Sequence, residues 1–187
     1  PEDAVDRFPH QFSGGQRQRI AIARALAAST TVLIADEPIS ALDTSSQAQV
    51  ANLLVDLVHE FKMGMVFISH DLSIVRRISD RVAVMYLGKI VEIGTTSQIW
   101  ENPSHPYTRA LVSAIPHADG ASFMPSDLPG DVPNPMNPPS GCRFHPRCQL
   151  ALPKCTTEEP QFVTLTDNRE VSCFLQREGE SPASITL

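Results

Sequence analysis

Val32-Leu33-Ile34-Ala35-Asp36-Glu37-Pro38 is an apolar run of strand length that ends in two adjacent acids and a proline. Polar residues do not alternate through it, so it predicts a strand covered on both faces, as in a parallel sheet, with a polar edge at its C-terminal end. Downstream, Asp43 and Thr44 precede Val50, Leu53, Leu54, Leu57, Val58 and Phe61, whose helical spacing predicts an amphipathic helix packed on that sheet. A second apolar run, Met65 to Ile68, then stops at Ser69-His70-Asp71. Strand, helix, strand in this order is a right-handed crossover unit. Both polar clusters fall at the carboxyl ends of strands, where open α/β sheets place their ligands.

Upstream, Ser13 is placed to cap a helix from about Gln16 to Ala28, with Ile20, Ala23 and Ala27 on one face and a glycine pair before it. Downstream, a short helix carries Leu72, Val75 and Ile78. The runs Val82 to Tyr86 and Ile90 to Ile93 flank Leu87-Gly88-Lys89 and predict an antiparallel hairpin that makes the sheet mixed at one side. Pro106 suits the first position of a further helix with Leu111 and Ile115, and Pro116 ends it. From Ala118 to Ser140, prolines and glycines predict a long extended connection.

The chain has 187 residues, 42% of them hydrophobic, enough for one core and a small appended module. A formal charge of -6 argues against a surface built to neutralise a phosphate backbone, so nucleic acid is not an expected partner. No stretch approaches the roughly 20 apolar residues of a membrane span, and no secretory leader pattern opens the chain. A start at Pro1, close to an active-site-like motif, reads as a fragment of a longer protein.

Phe12-Ser13-Gly14-Gly15-Gln16, followed by Arg17-Gln18-Arg19, joins a hydroxyl, glycine amides and a helix N-terminus, which together suit completing a phosphate cage; a plain glycine turn with a capped helix is the alternative. At the first strand's end, Asp36 could hold Mg²⁺ while Glu37 polarises an attacking water, or both could be solvated turn acids. Asp43, in Ser40-Ala41-Leu42-Asp43, reads as an N-cap. His70 could hydrogen-bond a γ-phosphate or orient the water, or could be structural.

Taken in order, the run from Phe12 to Gln16, the strand with Asp36 and Glu37, Ser40 to Asp43, and Ile68-Ser69-His70-Asp71 resembles the ABC-type ATPase domain from its signature motif through the second Walker motif, D-loop and switch histidine. The resemblance implies an α/β fold: the ABC-type P-loop ATPase core, without its N-terminal half, over residues 1–94, with a small cysteine-containing extension over 95–187. It implies ATP and Mg²⁺ as ligands, Glu37 as general base, His70 as γ-phosphate sensor and Asp36 as the residue assisting Mg²⁺. Ser13, Gly14, Gly15 and Gln16 would serve a nucleotide held by a second ATPase subunit, and Asp43 would couple the two sites. Ile39 and Ser69 stand where threonine is frequent in the family. No G-x-x-x-x-G-K-[ST] loop occurs, so the segment alone is expected to be inactive.

Further along, Gly88-Lys89-Ile90-Val91-Glu92-Ile93-Gly94, then Asn102-Pro103-Ser104-His105-Pro106-Tyr107-Thr108-Arg109-Ala110-Leu111 and Ala114-Ile115-Pro116, resembles the C-terminal extension of oligopeptide and dipeptide importer ATPases. That resemblance implies ATP-driven peptide uptake with two transmembrane permease subunits and an extracytoplasmic solute-binding protein, at the cytoplasmic face of the inner membrane. All four cysteines follow in the spacing C-x5-C-x6-C-x17-C, without the close pairs of structural zinc sites. Iron–sulfur, zinc and unliganded thiols stay open on the residues. The resemblance implies a [4Fe-4S] cluster on Cys142, Cys148, Cys155 and Cys173. Two other readings are weighed: a non-transport ABC ATPase, which the acidic balance and the H-P-Y-T run oppose, and an iron–sulfur module with vestigial ATPase motifs, which intact Asp36, Glu37 and His70 oppose.

Overall fold

The computed structural model describes residues 2–40, 42–115 and 128–183. Pro116 and the first part of the expected connection, up to residue 127, lie outside the described residues. The chain packs as two compact units, Pro1–Ile78 and Ser79–Leu187. The packing boundary thus lies upstream of the motif-based one after Gly94.

In the first unit, α1 (Gly14–Leu26), β1 (Val32–Asp36), α2 (Thr44–Glu60), β2 (Gly64–Ile68) and α3 (Leu72–Ile78) follow the expected order. β1 and β2 pair in parallel, from Val32 opposite Gly64 to Asp36 opposite Ile68. Leu33 and Ala35 point into a core with Ile22 of α1, Ile39, and Val50 and Leu54 of α2. The expectation of a strand covered on both faces is not met within this unit: Val32 and Ile34 are 54% and 68% exposed, and Val66 and Ile68 on β2 are 51% and 46% exposed. Helices α1 and α2 contribute to the same core cluster as Leu33 and Ala35, so the opposite face of the two-stranded sheet stays open. The stripe expected to pack on α1 is also corrected. Ile20 is 48% exposed while Ile22 is buried with Ala25 and Leu26 beside it. Both stripes are apolar at helical spacing, and the one carrying Leu26 in place of a second alanine offers more area to bury. Phe61, read as part of the packed face of α2, follows the helix as its C-cap and is 56% exposed.

In the second unit, β3 (Arg81–Tyr86) and β4 (Lys89–Thr95) form the expected hairpin. Leu87 and Gly88 both take positive φ, 45° and 76°, as a two-residue turn matched to strand twist requires. The expected mixed sheet does not form. The hairpin belongs to a separate antiparallel sheet of order β3-β4-β6-β5, because β4 pairs its other edge with β6 (Glu170–Val171), which in turn pairs β5 (Val163–Thr164). Helices α4 (Thr96–Glu101) and α5 (Pro106–Ser113) follow the hairpin. A capping box between Thr95 and Gln98 starts α4, and Pro106 starts α5 as expected. Around Phe144, which is 2% exposed, stand Tyr86 and Tyr107 with ring centroids at 5.2 and 5.4 Å. This aromatic cluster joins hairpin, helix and cysteine segment into one core.

Behind β4 the unit buries a polar junction. Glu92 is fully buried and accepts from the backbone amides of Ser104 at 2.7 Å and His105 at 2.9 Å. Arg169 Nη1 lies 3.6 Å from the Glu92 carboxylate and donates to Ser104 Oγ at 2.9 Å and to the Asn102 carbonyl. Burial pushes the Glu92 carboxyl above the usual range, and the two amides and the guanidinium pull the other way. Glu92→Gln keeps the shape but turns an amide NH₂ toward one of two backbone N–H donors. Its expected cost is about 1.5–3 kcal/mol, read as a lower urea midpoint at unchanged slope.

Candidate functional site

The parallel register of β1 and β2 brings their C-terminal ends side by side, Asp36 opposite Ile68. Glu37 extends the ladder by donating its N–H to the Ile68 carbonyl at 2.9 Å. It does so with φ at 47°, a left-handed conformation that costs a non-glycine residue about 1–2 kcal/mol. Strain of this kind concentrates at functional sites. The turn aims the Glu37 carboxylate at His70, two residues beyond the end of β2, and Oε1 meets His70 Nδ1 at 2.9 Å. Oε2 is buried and has no hydrogen-bond partner among the described residues. His70 remains largely exposed, and its hydrogen bond to Glu37 and the carboxylate's charge raise its titration above the ordinary histidine value.

Ser13 and Asp43 occupy the N-caps of α1 and α2. Ser13 Oγ accepts the Gln16 amide at 3.2 Å, while Gln16 Oε1 accepts the Ser13 amide at 2.9 Å, a reciprocal box that sets the start of α1. The Ser13 hydroxyl proton stays available to a further acceptor. Asp43 accepts from the Ser46 amide at 3.0 Å and from the hydroxyls of Ser45 and Ser46 at 2.7 and 2.8 Å. Those bonds, the Ser46 amide first, lower its pKa to about 2. Ser13, Gly15 and Gln16 border a polar cavity between α1 and α2 that Arg19, Ser46 and Gln49 complete. Gly14 opens α1 beside them. Arg19 donates to Gln49 at 3.4 Å. The sequence names Arg19 only as part of the run after Gln16 and does not single out Ser46 and Gln49; i,i+3 spacing from Gln16 to Arg19, and from Asp43 to Ser46 to Gln49, is the signal that finds them. Asp36, Glu37 and His70 do not border this cavity.

A second site lies in the other unit. Cys142, Cys148, Cys155 and Cys173 border one apolar cavity, together with His105 and His145. None of the four is in a disulfide. Burial raises the thiol pKa of Cys142 and Cys148, and that of Cys173 to about 12. Among the described residues no group of three or more His, Cys, Asp or Glu side chains is set to hold a metal ion.

Two family models match the chain: one described as ABC transporter over residues 1–40, and one described as the C-terminal region of oligopeptide/dipeptide transporters over residues 91–155. The dipeptide transport ATP-binding protein of Haemophilus influenzae is 54% identical over 170 residues, covering 90% of this chain and 52% of that protein. The oligopeptide transport ATP-binding protein of Bacillus subtilis is 51% identical over 172 residues, covering 90% of this chain and 52% of that protein. Over these matched segments the chain is similar to ATP-binding subunits of oligopeptide and dipeptide ABC transporters. It spans about half the length of the curated relatives it matches. Ser13, Asp36 and Glu37 fall in the segment matched as ABC transporter, and Cys142, Cys148 and Cys155 in the segment matched as the transporter C-terminal region. Among the described residues no helix is long and apolar enough to cross a membrane.

Proposed function

We propose that the protein to which this chain belongs is the ATP-hydrolysing subunit of an importer for dipeptides, oligopeptides or similar solutes. The observation that carries the reading is the Glu37 carboxylate, with one oxygen held by His70 and the other buried and unpartnered. Such an oxygen can accept the proton of a water as it attacks a γ-phosphate, with His70 Nδ1–H fixing the other oxygen and, when the ring is protonated, Nε2–H able to donate to the phosphate. Asp36, beside Glu37 at the end of β1, would hold Mg²⁺, which supplies charge neutralisation at the phosphates. Ser13 Oγ, the Gly15 amide and Gln16 would reach a nucleotide carried by a second ATPase subunit, and Asp43 would fix the start of α2 between the two sites. The names of the relatives support peptides as cargo. Two transmembrane permease subunits and an extracytoplasmic solute-binding protein complete the machine, with this subunit peripheral on the cytoplasmic face of the inner membrane. Domain limits of 1–94 and 95–187 are kept as the ATPase segment and the extension.

The cysteine cavity fits a [4Fe-4S] cluster better than a zinc ion. What supports it is the donor set: four cysteines border one space, as such a cluster requires, while among the described residues no three ligand side chains group as a single-ion cage needs. Cys142, Cys148, Cys155 and Cys173 would hold it, and when bound it supplies a covalent staple and a one-electron centre. The function is tested with the full-length protein reconstituted with its membrane subunits. ATP hydrolysis that rises on adding peptide-loaded binding protein is the expected result. Hydrolysis indifferent to peptides but driven by nucleic acid or ribosomes would overturn it.

A further inference from the structure

His105 sits in the core of the second unit, 1% exposed, at the cap of α5. A buried imidazole with unmet polar atoms is costly, so its hydrogen bonds bear on its purpose. Its side chain makes one: Nδ1 accepts the backbone N–H of Tyr107 at 3.0 Å. A backbone amide can only donate, so Nδ1 is the bare nitrogen and the ring proton is on Nε2. Nε2–H is the one donor the imidazole has, and none of the hydrogen bonds His105 makes among the described residues uses it. His105 is among the residues that border the cavity lined by the four cysteines.

His145 borders that cavity too, with the opposite tautomer. Its Nδ1 lies 2.9 Å from the Cys142 carbonyl, which can only accept, so Nδ1 carries the proton and a neutral His145 has a bare Nε2. Of the two histidines that border the cavity, His105 alone carries, in its neutral form, a ring N–H not used in the bonds described above. Thiolates and sulfides are acceptors, and an N–H directed at them disperses negative charge.

We infer that His105 is a positioning and tuning residue of the cysteine site, donating from Nε2–H to a sulfur of the iron–sulfur group held by Cys142, Cys148, Cys155 and Cys173. The inference rests on the proposed cluster. Its consequence is electronic: the reduced cluster carries one more negative charge than the oxidised one, so the hydrogen bond favours reduction, and its loss lowers the reduction potential.

The test uses the chain purified anaerobically, with iron and acid-labile sulfide counted and the midpoint potential measured for wild type, His105→Asn and His105→Leu. Asparagine places Oδ1 where Nδ1 stood, keeping an acceptor for Tyr107 N–H, and places nothing where Nε2 stood. The expected result is wild-type iron and sulfide in His105→Asn with a more negative potential, and a similar displacement in His105→Leu. An unchanged potential with full cluster content in His105→Asn overturns the inference and leaves the cluster standing. Wild-type chain without iron and sulfide overturns both. A measurement that needs no variant guards against misfolding: pulsed EPR of the reduced wild-type protein labelled with ¹⁵N-histidine should show a histidine nitrogen coupled to the cluster spin. Its absence also overturns the inference.

Discussion

Glu37→Gln in the full-length protein is expected to lower the turnover of ATP about 10²–10⁴-fold while nucleotide binding is retained. Glutamine matches the shape, so the turn that carries residue 37 and its amide bond to Ile68 are not disturbed. What changes is basicity. A carboxylate with one oxygen on His70 and the other unpartnered can take a proton from an attacking water, whereas a carboxamide cannot. The loss should therefore fall on kcat and leave the KM for ATP within a few-fold, the pattern of an interaction made in the transition state. The same variant has a second readout. The Glu37 carboxylate raises the His70 titration, so folded chain favours protonated His70; that contribution is present below the ordinary histidine value and is lost as pH rises through the raised one. In Glu37→Gln the His70 ring resonances should titrate at lower pH. Full turnover in the variant would remove Glu37 as the base, and an unshifted His70 titration would remove their contact in solution.

The placement of Asp36, Glu37 and His70 together was legible in the sequence because it follows from local patterns. A strand that runs into Asp36 and Glu37, and a second that runs into His70, place their polar ends together once the strands pair in parallel, and the pairing follows from the crossover order. Capping at Ser13, Asp43 and Pro106 was legible for the same reason, since each cap acts within three residues of itself. Packing partners were less so. Val32-Leu33-Ile34-Ala35 has the composition of a strand buried twice, and composition cannot say whether the residues present cover both faces; here they cover the face of Leu33 and Ala35. The separate sheet was hidden because β6 has only two residues, Glu170 and Val171, far too few for an alternation to register. Glu92 and Arg169 were hidden too: each looks like an ordinary surface charge until the pairing of β4 with β6 draws both inward. His105 was read for its place in the H-P-Y-T run, and only its burial beside the cysteines gives it a task.

Gly141→Ala is expected to destabilise the second unit on the order of 4–5 kcal/mol, the upper end for one substitution. Two effects add. Gly141 has φ at 66°, which costs alanine about 1–2 kcal/mol by itself. A Cβ there would also stand 2.4 Å from the Cys155 carbonyl oxygen and 2.9 Å from Thr156 C and Thr157 N, all of them backbone atoms that cannot rotate away. The close approach is held by the Cys142 amide donating to the Cys155 carbonyl at 2.9 Å and by Ser140 Oγ donating to the Thr156 carbonyl at 2.8 Å. Relief of the clash must separate the segments that carry two of the four cysteines, so loading of the proposed cluster should fall together with stability. Gly130→Ala isolates the first effect, since Gly130 has φ at 71° and no atom of the described residues lies within 4 Å of the added Cβ; its cost should stay near 1–2 kcal/mol with loading intact. Urea unfolding of the two variants, with iron counted in each, separates the terms. If Gly141→Ala matches Gly130→Ala in both stability and iron content, the two cysteine segments do not approach as closely as this backbone places them, and the cavity between the four thiols is wider than a single packed loop would make it.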